Sequence, residues 1–342
     1  MRGGSGLNIY DVSNKAGVSI ATVSRVMNGN PNVSDATRKK VLTVMQELGY
    51  TPNIFARGLG LNTMQTIGIM CTDSSDMYLA NAVYYTEHEL RSHGYDSILC
   101  CTGDNLENKK QSLNLLLSKR VDALILVGSK FLEAKHKDNA YIFSAAEKVP
   151  IMLINGYLEG ENIYCTICDD YRAVYQITHA LLSSGRKKLL YLYTSNSYSG
   201  LQKKNGFLSA LRDYHILPDE QFLQICPKGI YEAKEIVASL YQQGYTFDGV
   251  VTSDDFLAVG ALKYALEHHI LVPKKLSIVG YNNSILATCA EPELTSIDTK
   301  VEALCVNTVN SLMRIFEGND VPACTTISAN IIYRMTTELN PL

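Results

Sequence analysis

From residue 66 onward, short apolar runs of strand length alternate with amphipathic stretches of helical period. TIGIMC, YDSILC, DALILVG and PIMLING are separated by helical patterns near 78–92, 106–119 and 135–147, and KKLLYLY, FLQIC, FDGVVTS and KLSIVGY repeat the scheme after residue 164. Two successive sets of strand-helix units predict two parallel-sheet subdomains. Residues 1–50 are patterned differently, at helical spacing throughout. Ile9, Val12 and Ala16 share one side of a first helix that Asn8 can cap and Gly17 can end. Ser34 can cap a third helix, with Asp35 in its first turn, Val41, Leu42, Met45 and Leu48 as its apolar stripe, and Gly49 as its stop. Between them, IATVSRVMN places Val23, Val26 and Met27 on one side and Ser24, Arg25 and Asn28 within about 60° of Ala21 on the other. The segment predicts a three-helix unit containing a helix-turn-helix, which by itself is either a solvated helical cap or a DNA-binding element.

Charge separates those two readings. The chain of 342 residues carries a formal net charge of −3. Residues 1–62 hold Arg2, Lys15, Arg25, Arg38, Lys39, Lys40 and Arg57 against Asp11, Asp35 and Glu47, so the excess of positive charge sits with the helix-turn-helix and the rest of the chain is acidic. Phosphates would be met there. Arg38, Lys39 and Lys40 lie early in the third helix, where the helix dipole disfavours cations, and a polyanionic partner explains them better than helix stability does.

An apolar content of 46% gives ample material for a globular core, and no run approaches the ~18 apolar residues of a membrane span. MRGGSG has no apolar core of a secretory signal and reads as a flexible tail or a cloning remnant, so a cytoplasmic protein is expected. Nine cysteines fall mostly in strand-like contexts without the density of a disulfide framework. Cys165 and Cys168 form a CxxC inside the alternating IYCTICDD, with no second pair at zinc spacing, so a strand is expected rather than a metal or redox site. No metal and no cofactor are expected. In open α/β sheets ligands lie beyond the carboxyl ends of the strands, which singles out Asp73, Asn155, Asp254 and Asn282 as residues facing a cleft between two lobes.

At these residues the chain resembles the LacI/GalR family of bacterial transcription regulators, from Asn8 to about Thr337. IYDVSNKAGVSIATVSRVMNGNPNVSDATRKKVL followed by ELGYTPNIFARGL carries the resemblance most specifically and is similar to the catabolite control protein branch; SKRVDALILVG, FDGVVTSDDFLAVGALKYAL, VPKKLSIVGYNN and PELTSI follow in order. The resemblance implies an all-α headpiece over residues 1–50, a hinge helix and linker over 51–64, and an α/β core over 65–342 similar to periplasmic sugar-binding proteins. Its first subdomain would comprise about 65–163 and 294–323, its second about 164–293 and 324–342. It further implies a homodimer on a palindromic operator, in which Ile20, Ala21 and Arg25 read base edges and Asn8, Ser24 and Asn28 hold phosphates. Only Arg25 among the three readers offers a bidentate polar contact; the other two offer apolar surface. Asn53, Ala56 and Leu59 would be the hinge contacts, with Leu59 wedged between base pairs and Ala56 letting two hinge helices approach. Gly58 and Gly60 flank that leucine, each costing ~1 kcal/mol of helix relative to alanine, so a hinge that orders only on DNA is expected.

The resemblance implies a small polar effector, a sugar or derivative, in the cleft. Lys203, Asp254 and Asn282 stand at three effector positions that family members often fill with Arg, Asn and Asp, and Tyr78 and Leu79 stand where aromatics often stack on a sugar ring. Carboxylate, amide and ammonium all hydrogen-bond polyols, but bidentate recognition of a carboxylate by arginine is lost. The catabolite control branch instead answers to a phosphorylated carrier protein, which stays open as a corepressor. Two other classes are disfavoured. An enzyme would show HExxH, a GxSxG elbow or a phosphate-binding glycine loop, none of which is present. A free-standing solute-binding protein has no use for a basic headpiece.

Overall fold

The computed structural model describes residues 7–27, 30–50, 63–226 and 229–339. They divide into two units, one comprising the residues up to Thr66 with Arg120–Asp122, the other the remainder.

The first unit holds α1 (Ile9–Ala16), α2 (Ile20–Met27) and α3 (Asp35–Leu48). Asn8 caps α1 by a reciprocal box: its Oδ1 accepts from the Tyr10 and Asp11 amides, and its own amide donates to Asp11 Oδ2 at 2.8 Å. Gly17 then takes a left-handed φ of 61°, and Ser13 Oγ donates to the Val18 carbonyl at 2.7 Å, which fixes the turn into α2. Val12, Ala16, Val23, Val26, Val41 and Val44 form the buried core. Leu42, expected in that core, is exposed: it lies about 100° around the helix from Val41, whereas Val44 lies three residues on and shares Val41's side.

The second unit contains two six-stranded sheets. The strands are β1 (Thr66–Cys71), β2 (Asp96–Cys101), β3 (Ala123–Val127), β4 (Ile151–Ile154), β5 (Ile163–Cys168), β6 (Leu189–Tyr193), β7 (Leu223–Ile225), β8 (Gly249–Thr252), β9 (Ser277–Tyr281), β10 (Thr295–Asp298), β11 (Cys324–Ile327) and β12 (Asn330–Ile332). The first sheet runs β11-β5-β4-β3-β1-β2 and the second β12-β10-β9-β8-β6-β7. β3, β6, β8 and β9 are buried along their whole length, as strands covered by helices on both faces must be. The chain passes between sheets after β5, β10 and β11, each crossing about one strand later than the expected 163/164, 293/294 and 323/324. A strand keeps its sheet to its last residue, so the crossings follow the apolar runs rather than precede them. The second sheet is also not wholly parallel: β12 pairs antiparallel with β10. Only residues 328–329 separate β11 from β12. That link is too short for a crossover, so β12 enters from the carboxyl edge and runs away from it.

Gly206 sits where the helix Tyr198–Asp213 crosses the helix Asp170–Ser183. A Cβ there would collide with the Tyr171 carbonyl oxygen, so glycine permits the close approach that brings Lys203 of one helix toward Asp170 of the other.

Candidate functional site

In the helical unit, Ser19 receives the Thr22 amide on its Oγ and starts α2. Val23 and Val26 face the core, while Ile20, Ala21 and Arg25 are exposed and Ser24 is half-buried. The outward face expected from the helical wheel is therefore present, with Arg25 as its cation. Asn8 is exposed, but its side-chain oxygen is committed to the cap, which leaves its amide N–H groups as the donors for a phosphate. Arg38 differs from the reading of a basic triplet: its Nη2 donates to the Asn30 carbonyl at 2.6 Å and holds the loop after α2, while Lys39 and Lys40 are exposed. Asn28, Asn53, Ala56 and Leu59 lie outside the described residues.

In the α/β unit, polar residues at the carboxyl ends of both sheets line one cleft. Its main cavity is about 1030 Å³, bordered by Asp76, Tyr78, Tyr85, Asp254, Phe256 and Asn282 among others. An inner recess of about 100 Å³ continues it and is lined by Tyr78, Leu79, Asn155, Lys203, Asp254 and Asn282, six of the seven residues expected there. Asp73 is the exception. Its Oδ1 accepts from the amide and hydroxyl of Ser75, making a turn, and the cleft carboxylate is Asp76, which caps the following helix through the Tyr78 and Leu79 amides. The two lobes touch directly in the recess, where Ser129 Oγ donates to Ser197 Oγ at 2.9 Å and Asn155 Nδ2 to Ser199 Oγ at 3.4 Å.

Asp254 caps the helix Asp255–Glu267 through the Phe256 amide, and its Oδ2 accepts from Asn282 Nδ2 at 2.8 Å. Desolvation, reinforced by the neighbouring Asp255 and by Asp76 and opposed by Lys203, pushes its carboxyl up to about 8. Lys203 is buried beneath: its Nζ donates to the Ser253 carbonyl at 3.2 Å and lies 3.6 Å from the centre of the Tyr281 ring. Asp170, fully buried, accepts from Ser199 Oγ at 2.5 Å and from the Tyr281 hydroxyl. Burial raises its carboxyl above the usual range, while Lys203 and those two donors pull it back. The hydroxyl of Tyr78 is buried without a hydrogen-bond partner among the described residues.

Sequence reading missed Asp76, Asp170, Ser199, Tyr281 and the Ser129–Ser197 pair. The signal for Asp170 was present in IYCTICDD, an acidic pair immediately after an apolar strand; nothing local marks Tyr281, which looks like any strand residue. The same strand disposes of the CxxC. Residues three apart on a strand face opposite sides, Cys165 bonds the Leu158 carbonyl, and burial raises both thiols.

Residues 8–53 match the family described as bacterial regulatory proteins, lacI family, and residues 64–335 match periplasmic binding proteins and sugar binding domain of LacI family. The chain belongs to the LacI family. This LacI-family regulator is 60% identical to an HTH-type transcriptional regulator of Lachnoclostridium phytofermentans, over 97% of this chain and 100% of the relative. Catabolite control protein A of Priestia megaterium is 30% identical over 85% of this chain and 87% of its own length, and the regulator AscG of Escherichia coli 28% over 95% and 97%, so the catabolite control branch is not set apart. Among solved structures, the lac repressor dimer bound to operator and the anti-inducer ONPF superimposes with a TM-score of 0.87 at 23% identity, covering 97% of this chain and 99% of that one. The LacI-family chain is thus a helix-turn-helix transcriptional regulator with a sugar-binding-type domain, not an enzyme. Among the described residues no helix is long and apolar enough to cross a membrane.

Proposed function

We propose that this regulator acts in the cytoplasm as a homodimer on a palindromic DNA operator, as a repressor, and that a small polar ligand, a sugar or derivative, bound in the cleft modulates its hold on DNA. On the DNA side, α2 enters the major groove, Arg25 supplies the polar base contact, Ile20 and Ala21 supply apolar contact, and Asn8, Ser24 and Asn28 hold phosphates. Asn53, Ala56 and Leu59 serve the hinge in the minor groove. The observation that carries the ligand half is the recess itself, where donors and acceptors from both lobes, Asn155, Lys203, Asp254 and Asn282, line one small space beside Tyr78. A ligand that spans it favours lobe closure, and the usual coupling for such a change is ~1–3 kcal/mol.

The test adds sugars, then a phosphorylated carrier protein, to a preformed complex of the full chain with operator DNA followed by fluorescence anisotropy. A sugar changes operator affinity in the parent protein, and Asp76→Ala and Asp254→Ala abolish that response while basal affinity stays within about twofold. If only the carrier protein changes affinity, and the cleft variants answer it normally, the cleft is not the regulatory site.

A further inference from the structure

The cleft is electrostatically one-sided. Asp76 from the first lobe and Asp254 from the second border both the cavity and the recess, and Asp298 and Glu302 border the cavity with Lys300 as its one cation among the described residues. The recess contains two lysines, but neither is presented to a ligand. Lys130 Nζ pairs with Asp104 at 3.4 Å. Lys203 Nζ is held over the Tyr281 ring and against the Ser253 carbonyl, with the buried carboxyl of Asp170 offsetting its charge. The carboxylates are compensated less fully, since at Asp254 Lys203 offsets only part of the burial and of the repulsion from Asp255. Asp76 and Asp254 each spend one oxygen on a helix cap, and Asp254 receives only the neutral Asn282 amide on the other. Tyr78, Tyr85 and Phe256 border the same cavity, and an aromatic ring attracts a cation over its face.

Building on the ligand site proposed above, we infer that the cleft selects a hydroxyl-rich ligand carrying a protonated amine, an amino sugar or an oligomer of one, with its ammonium held between Asp76 and Asp254. An anionic ligand such as a sugar phosphate meets an excess of carboxylates and no available ammonium in the recess. A neutral polyol leaves Asp76 and Asp254 bordering the same space with no cation between them. An ammonium bridges them, restores ionisation of Asp254 against Asp255 and Asp76, and leaves Lys203 with Asp170. The hydroxyls of the same ligand reach Asn155 and Asn282.

The test uses paired probes in which one member carries an ammonium and the other does not: glucosamine against glucose, galactosamine against galactose, and the β-1,4-linked glucosamine dimer against its N-acetylated form. Each is titrated calorimetrically into the full chain at pH 7, in two buffers of different ionisation enthalpy. Expected is tighter binding of the amine in at least one pair, by about tenfold as for a charge-assisted contact, with release of a proton as Asp254 ionises. Asp254→Asn and Asp76→Asn, which keep the helix caps because asparagine caps as well as aspartate, bring the two members of that pair to within about twofold. Equal or tighter binding of the neutral member in every pair, or binding of glucose 6-phosphate above either, overturns the charge selectivity and leaves the cleft as a sugar site. Binding of none of the probes overturns it together with the site.

Discussion

Lys203 and Tyr281 form a buried cation–π pair, Nζ standing 3.6 Å from the ring centre, and the hydroxyl of that ring donates to Asp170. The lysine is therefore less a ligand-facing cation than the counter-charge that makes a buried carboxylate tolerable. Removing one member of a buried pair costs about 3–5 kcal/mol because the other is left uncompensated. Lys203→Met is expected to destabilise the chain on that scale in urea unfolding, and Asp170→Asn in the same molecule to restore much of the loss. The loss is smaller at pH 5 than at pH 8, since burial already raises Asp170 and protonation can neutralise it. A Lys203→Met protein as stable as the parent would show that the two charges do not interact.

Asp254 gives stability a pH dependence of defined sign. Its carboxyl titrates near 8 in the folded chain against an ordinary value of 3.8, so between those limits the native state holds a proton that the unfolded state has lost. The group's contribution is favourable below the unfolded value and is lost as pH rises through the folded one. Asp254→Asn is expected to gain stability relative to the parent as pH is raised from 5 to 8, measured by urea midpoints at several pH values. A difference that does not vary with pH contradicts the elevated carboxyl.

The box that Asn8 makes with Asp11 fastens the start of the headpiece. Asn8→Ala removes the acceptor for two amides, and loss of such a cap costs about 1 kcal/mol. Hydrogen exchange in the full chain is expected to speed up at Tyr10 and Asp11 while the β3 amides keep their protection.

Arg25 is exposed on the face of α2 opposite Val23 and Val26. Arg25→Ala is expected to cost about 1–3 kcal/mol on the operator with much less change on random DNA, as a base contact does. Equal losses on both, in anisotropy titrations at one salt concentration, would make Arg25 a phosphate contact.

What the chain revealed before its structure follows from how far each signal reaches. Helical and strand periodicity are local, and α1–α3 and the alternation of strands with helices were legible from them. Strand ends are legible too, which is why Asn155, Asp254 and Asn282 were found. Asp73 was misplaced because the stretch after β1 contains two aspartates three residues apart, and only the cap on the Tyr78 and Leu79 amides decides which one turns into the cleft. Leu42 is as hydrophobic as its buried neighbours, and only its angle around the helix, not its residue type, puts it in solvent. The Lys203–Tyr281–Asp170 group was illegible for a different reason: its members come from two helices and a strand more than thirty residues apart at the closest, and Gly206 brings the helices together without any mark in its own neighbourhood.

Footprinting of genomic DNA with the purified full chain, parent and Arg25→Ala side by side, tests the regulatory function most directly. Discrete protected sites with two-fold symmetry, lost in Arg25→Ala and changed in occupancy by a cleft ligand in the parent but not in Asp254→Ala, are the expected result; uniform or absent protection at physiological salt would contradict it.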